Sequence, residues 1–255
     1  MIPLDLSSKL ALVTGVGDNV GFAWYIAKAL QAAGARLVFG CHPRLMGIVE
    51  NILERDADAD TRVLPFAAGM LKVSKVLACD VSFDTLDDVD EKTRNDRRYQ
   101  RHGDYSIKGM MDAVGKEFGA IDVLVHSIAF SPEIKNPAVH TSRNAYLTAM
   151  GVSAYSLTAL LRAALQIDAK QLASNLGPKK IRVNLISAGP YASRAARAIG
   201  DIDKMIQYAA QRAPLQRGIE PEEVANAAVF LCSPLASAIT GEVLYVDCGY
   251  NTMGV

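Results

Sequence analysis

With 255 residues, half of them hydrophobic, and 27 basic against 27 acidic side chains, the chain has apolar material for one full α/β core and no charge excess. That balance excludes partners bound by neutralising phosphates, so neither a nucleic acid nor an anionic membrane surface is expected, and no apolar run reaches the ~18 residues of a membrane span. One domain over residues 1–255 is expected, with Cys41, Cys79, Cys232 and Cys248 lacking any CxxC spacing and reading as free thiols in a reducing compartment, not as metal ligands.

Met1-Ile-Pro-Leu leaves little room ahead of the first strand, so if the protein is imported its targeting segment is expected to have been removed. Strand-like runs then follow in order: Leu10–Val13, Arg36–Phe39, Val73–Cys79, Asp122–His126, Ile181–Ile186 and Val243–Val246, with helical patterns between them. Strands apolar on both faces that alternate with helices predict a doubly wound parallel sheet of Rossmann type. The first two elements are joined by Gly15-Val-Gly17-Asp-Asn-Val-Gly21, a glycine-rich turn between a strand and a helix. Such a turn lets backbone N–H groups approach a pyrophosphate at a helix N-terminus, so a dinucleotide site is expected here. The second strand ends in Phe39-Gly-Cys-His42-Pro-Arg44 without an acid for the ribose hydroxyls. Arg44 could pair with a 2′-phosphate, or His42 and Arg44 are merely exposed strand-end residues, so NADH and NADPH both stay open.

At the end of the third strand Asp80 can accept from an adenine amino group while the N–H of Val81 reaches a ring nitrogen; an N-cap is the alternative for Asp80. The charged stretch from Asp84 to Gly103 reads as a solvated surface excursion without chemistry. The fourth strand delivers Ser127, Ile128 and Ala129 to the carboxyl edge of the sheet, where ligands of open α/β sheets sit, and His126 within it reads as a packing histidine.

Thr141 to Leu165 has helical spacing and Asp168 to Leu176 is helical again, so two helices meet with no strand between them. Parallel strands are normally joined through one helix, so a central βα element of roughly 25–35 residues is missing, with a break expected near Gln166–Asp168. A segment passed over in the numbering is the expected cause, since a real deletion would open a hydrophobic sheet edge. Beyond it, Ala188-Gly189-Pro190 ends a strand in a turn suited to hydrogen-bonding a carboxamide, and the small-residue segment Tyr191–Gly200 could cover the cofactor's reacting end. Thr240–Gly249 reads as a final structural strand and turn.

These residues resemble the short-chain dehydrogenase/reductase superfamily and, within it, the enoyl-acyl-carrier-protein reductases of type II fatty-acid synthesis. The resemblance rests on Gly15–Ala27, Val125–Phe130, Arg182–Pro190 with Ser193–Ala196, and Ser233–Gly241, and the run Ala188-Gly-Pro-x-x-Ser-Arg-Ala-Ala196 is similar to the plastid-type branch. It implies NADH-dependent (NADPH not excluded) reduction of trans-2-enoyl thioesters on acyl carrier protein, a homotetramer, and work in an apicoplast or chloroplast, or in the cytoplasm if the source is bacterial. It assigns cofactor contacts to Gly15, Gly21, Phe22, His42, Asp80, Val81, Ser127, Ile128, Gly189, Pro190, Tyr191 and Ser193. Phe130, Ser131, Ala195, Ala196 and Ile199 match acyl-pocket positions. His42 stands where the branch usually has a tryptophan stacked on adenine. The family's catalytic tyrosine, with lysine seven residues on, has no counterpart: none of the nine tyrosines has lysine at seven or at the relatives' four. That pair is expected in the missing segment; a true deletion would leave a catalytically dead nucleotide-binding protein, and a spacing of four there would make a carbonyl-reducing relative.

Overall fold

The computed structural model describes residues 4–164, 173–174, 176–199 and 201–253. Its core is β1 (Leu10–Thr14), flanked in parallel by β2 (Arg36–Cys41) and by β4 (Val123–His126), with β3 (Lys75–Ala78) beyond β2. β1 is buried on both faces because its side chains alternate between two cores. Ala11 and Val13 join Leu37, Phe39 and the buried side of α1 (Phe22–Ala32), against which α11 (Pro221–Cys232) packs. Leu10 and Leu12 face the other way, toward Val38 and the helices α6 (Ile107–Phe118) and α8 (Ser156–Ala164). The Asp122 carboxylate ties the entry of β1 to β4, accepting from Leu10 N at 2.9 Å and from Lys9 Nζ at 2.9 Å.

Between β2 and β3 lie α2 (Met46–Glu54) and the single-turn α3 (Ala59–Arg62). The stretch after β3 holds the short helices α4 (Glu91–Arg94) and α5 (Arg97–Gln100), capped by the side chains of Asp90 and Asp96. It is not a solvated excursion. Val89, Tyr99 and Tyr105 form a third buried cluster with Phe83 and Leu86, and Tyr99 is 2% exposed. The long helical pattern predicted from Thr141 is α7 (Arg143–Met150), a π-helical turn over Gly151–Tyr155, and α8.

Among the described residues after α8, no strand is added to the four-stranded sheet. β5 (Leu185–Ala188) and β6 (Val243–Val246) pair with each other in parallel as a separate two-stranded sheet. The strand expected from Ile181 starts only at Leu185; Val183 N instead donates to Thr240 Oγ1 and Asn184 Nδ2 to the Ile239 carbonyl. A strand exists only where a neighbour pairs with it, and on this side of residues 181–184 the described chain supplies none. Among the described residues, β4 and β5 each have one unpaired edge, and both border a cavity of about 1090 Å³ lined also by Phe22, Ile26, Val114 and Leu231. The missing element thus has a place in the fold, between β4 and β5. The expected break near Gln166–Asp168 falls outside the described residues.

Inserting a βα element of about 35 residues between Leu160 and Leu176 should raise the melting temperature by about 5–10 °C, as both open edges and the cavity walls become covered. A calorimetric scan showing no rise would mean the gap is not a strand site.

Candidate dinucleotide site

At the carboxyl ends of β1 and β4, Gly15 turns away from the sheet with φ at +82°, and its N–H donates to the Gly40 carbonyl at 3.1 Å. A Cβ added to Gly15 would lie 2.0 Å from the Ser127 carbonyl oxygen and 3.0 Å from Ile128 Cγ1, so only glycine lets the two strand ends come this close. The strand order β3-β2-β1-β4 reverses direction at this point, which is where open α/β sheets bind ligands. Gly21 is the N-cap of α1, with no side chain capping the helix and no acid in its first turn. The positive end of α1 is therefore left to an anion.

A buried carboxylate stands at the ends of β2 and β3. Asp80, 6% exposed, accepts from Ser82 N at 3.0 Å, from the Tyr99 hydroxyl at 2.6 Å and from His42 Nε2 at 3.2 Å. Arg44 N donates to His42 Nδ1 at 3.2 Å, which places the imidazole proton on Nε2, facing the carboxylate. Burial pushes the Asp80 carboxyl up, but the hydrogen bonds from His42, Tyr99 and Ser82 outweigh it and hold the group well below the usual carboxylate range. Burial, and after it the hydrogen bond to Asp80 and then the Asp80 charge, pushes the Tyr99 phenol far above its ordinary value. His42 packs edge-on against Tyr99 at 5.8 Å between ring centroids and leaves its side chain 37% exposed.

Sequence reasoning brings the right segments together but misses Tyr99, read as part of a solvated run. The available signal was an apolar spacing of Leu86, Val89 and Tyr99 within the charges. Val81 is 7% exposed and packs in the core beneath the site, with Leu10 and Val38. Ser127 and Ile128 touch the Gly15 position, while Ala129 is exposed. Gly189 lies against Asp247, and Tyr191 packs on Phe22 at 5.3 Å between ring centroids, joining the segment after β5 to the start of α1. Burial, and after it the neighbouring Tyr25, pushes the Tyr191 phenol up to about 12. Pro190 is half-buried beside it. Ser193 Oγ accepts from Ala196 N at 3.1 Å and starts α9 (Arg194–Ile199), which is followed by α10 (Ile202–Arg212). The side chains of Ala195 and Ile199 fall outside the described residues. Phe130 is 54% exposed, and its backbone is held at both N and O by Ser153 Oγ, with Ser131 beside it. His126 donates from Nε2 to Ser156 Oγ at 2.8 Å, because that hydroxyl gives its own proton to the Val152 carbonyl at 2.6 Å. Burial lowers its pKa, and its ring packs against α8 through Ser156.

A glycine crevice at the switch point, an uncapped helix N-terminus and a buried carboxylate at the third strand define a Rossmann-type dinucleotide-binding oxidoreductase fold. The family model described as "Enoyl-(Acyl carrier protein) reductase" matches residues 102–170 and 162–251 as two pieces. A rice chloroplastic enoyl-[acyl-carrier-protein] reductase [NADH] is 41% identical over 290 residues, covering 100% of this chain and 78% of the relative. The Plasmodium berghei enoyl-acyl-carrier-protein reductase crystallised with triclosan superposes with a TM-score of 0.89 at 35% identity, over 96% of this chain and 98% of that one. The Anaplasma phagocytophilum enzyme in complex with NAD superposes with a TM-score of 0.76 at 28% identity, over 98% of this chain and 96% of its own. The chain belongs to the enoyl-acyl-carrier-protein reductase family. The two family matches overlap at residues 162–170, and the rice alignment, 290 positions long, exceeds the 255 residues of this chain by 35, about the size of one βα element.

Tyr99→Phe removes the hydroxyl that donates to Asp80 and should cost about 1–3 kcal/mol at pH 7 by urea unfolding. Since the folded pKa of Asp80 lies below its unfolded value near ~4, its contribution is complete above that pH and is lost as the pH falls. Weakening the network raises the folded pKa toward the unfolded one, so this contribution shrinks and the acid-unfolding midpoint should move to higher pH. Unchanged stability and midpoint would place Tyr99 outside the network.

Proposed function

We propose that the protein reduces trans-2-enoyl thioesters carried on acyl carrier protein, with NADH as the reductant. The observation that carries this reading is likeness to NADH-dependent enoyl reductases over the whole chain, joined to a glycine crevice in which a Cβ at Gly15 has no room. NADH, when bound, supplies the hydride that adds to the β-carbon of the enoyl group. Gly15, Gly21 and Phe22 at the head of α1 hold the pyrophosphate, and Asp80 and Val81, with His42 beside them, receive the adenine. Ser127, Ile128 and Ala129 wall one side of the ribose and nicotinamide, and Gly189, Pro190, Tyr191 and Ser193 the other. Phe130 and Ser131, with Ala196 of α9, line the path of the acyl chain. An enolate forms after hydride addition and needs preorganised donors around its oxygen. No tyrosine of this chain carries the family's lysine spacing, so those donors are not assigned to residues.

The whole chain forms one domain around these segments. A homotetramer working in a plastid-type organelle completes the reading. Tyr146, Leu147 and Met150 of α7 are 61%, 60% and 48% exposed, apolar surface that a second subunit would cover.

Stopped-flow absorbance should show NADH consumed only when a crotonyl thioester is present, and light scattering of the same sample should give a four-chain mass. NADH that binds without being consumed, with turnover appearing only after the βα element is inserted, would make the chain a nucleotide-binding protein instead.

A further inference from the structure

The excursion between Asp84 and Gly103 reaches one more group at the nucleotide site. Arg44 lies three residues past the end of β2, the position from which a cation meets a 2′-phosphate in dinucleotide folds. Its turn abuts the glycine crevice: a Cβ on Gly17 would fall 2.8 Å from Leu45 Cδ1. Arg44, its side chain 47% exposed, already has a counter-ion there. Its Nη2 pairs with Asp96 Oδ2 at 3.2 Å, and its guanidinium carbon sits 5.4 Å from the centre of the Tyr99 ring. The same carboxylate takes the backbone N–H of Arg98 at 2.9 Å and its Nε at 3.2 Å. Tyr99, anchored through Asp80, fixes α5 and with it Asp96 over the strand ends.

We propose that Asp96 sets the preference for NADH over NADPH by acting as a built-in counter-ion to Arg44, filling the place a 2′-phosphate would need. A 2′-phosphate arriving at Arg44 has to displace a carboxylate of its own sign, whereas the 2′-hydroxyl of NADH demands no exchange of partners. Specificity is a difference of two affinities, and here a repulsive group lowers one of them. Arg98, held by the same carboxylate, is a second cation that the phosphate would otherwise recruit.

This inference rests on the dinucleotide site proposed above, so its test separates the two. Asp96→Asn keeps an acceptor for the Arg98 N–H at the helix start, where asparagine caps as well as aspartate, and removes only the charge. Calorimetric titration of NADH and NADPH into the full chain reads binding without turnover. NADPH affinity should rise at least about tenfold in Asp96→Asn while NADH affinity changes less than about threefold, and adding Arg44→Met should cancel the gain. An unchanged NADPH affinity, an equal change for both dinucleotides, or a gain that survives Arg44→Met would overturn the role of Asp96. Wild-type protein that binds neither dinucleotide would instead overturn the site itself.

Discussion

The structure depends on the close approach of Gly15 to the Ser127 carbonyl, where the ends of β1 and β4 meet. The two parallel strands are followed by Gly15 and Ser127, and any Cβ at Gly15 would meet the Ser127 carbonyl oxygen at 2.0 Å. The start of α1, the wall after β4 and the stacking of Tyr191 on Phe22 all take their positions from that contact. β1 supports it because Leu10–Thr14 is buried throughout, with side chains shared between two cores and hydrogen bonds to strands on both sides. A crevice in such a strand is rigid before a ligand arrives, so less ordering is left for binding to offset.

The second organising feature is a buried charge. Asp80 is removed from water, which disfavours its ionised form, and three donors compensate. One of them, Tyr99, comes from a segment whose surface is dominated by charge. The excursion is therefore ordered from within: three apolar and aromatic side chains form its core, Asp90 and Asp96 cap its helices, and the Tyr99 phenol ties it to Asp80 at the end of β3. Its outer charges keep it soluble while its inner face shapes the site.

Much of this was legible in the sequence. Strand, glycine turn and helix from Leu10 to Ala32 could be read because both periodicities and the turn chemistry agree locally. Two helical patterns after Thr141 with no strand pattern between them were legible in the sequence, and among the described residues the sheet splits between β4 and β5, beside the cavity. What was not legible depends on distant partners. Residues 181–184 have strand composition but lack a neighbour on one edge, so the strand starts late at Leu185. Tyr99 was hidden because charge counts describe the outside of a segment and say nothing about which side chain turns inward. The π-helical turn at Gly151–Tyr155 leaves no local signature that the helical spacing could reveal.

The central claim is that segments far apart in sequence form one bed for a dinucleotide around the Gly15–Ser127 crevice. Amide hydrogen exchange of the whole protein, followed with and without NADH, tests it most directly. The account predicts slower exchange on NADH addition at residues 15–23, 80–82 and 127–129 together, with β6 unaffected. Protection absent from these segments, or confined to one of them, would contradict it.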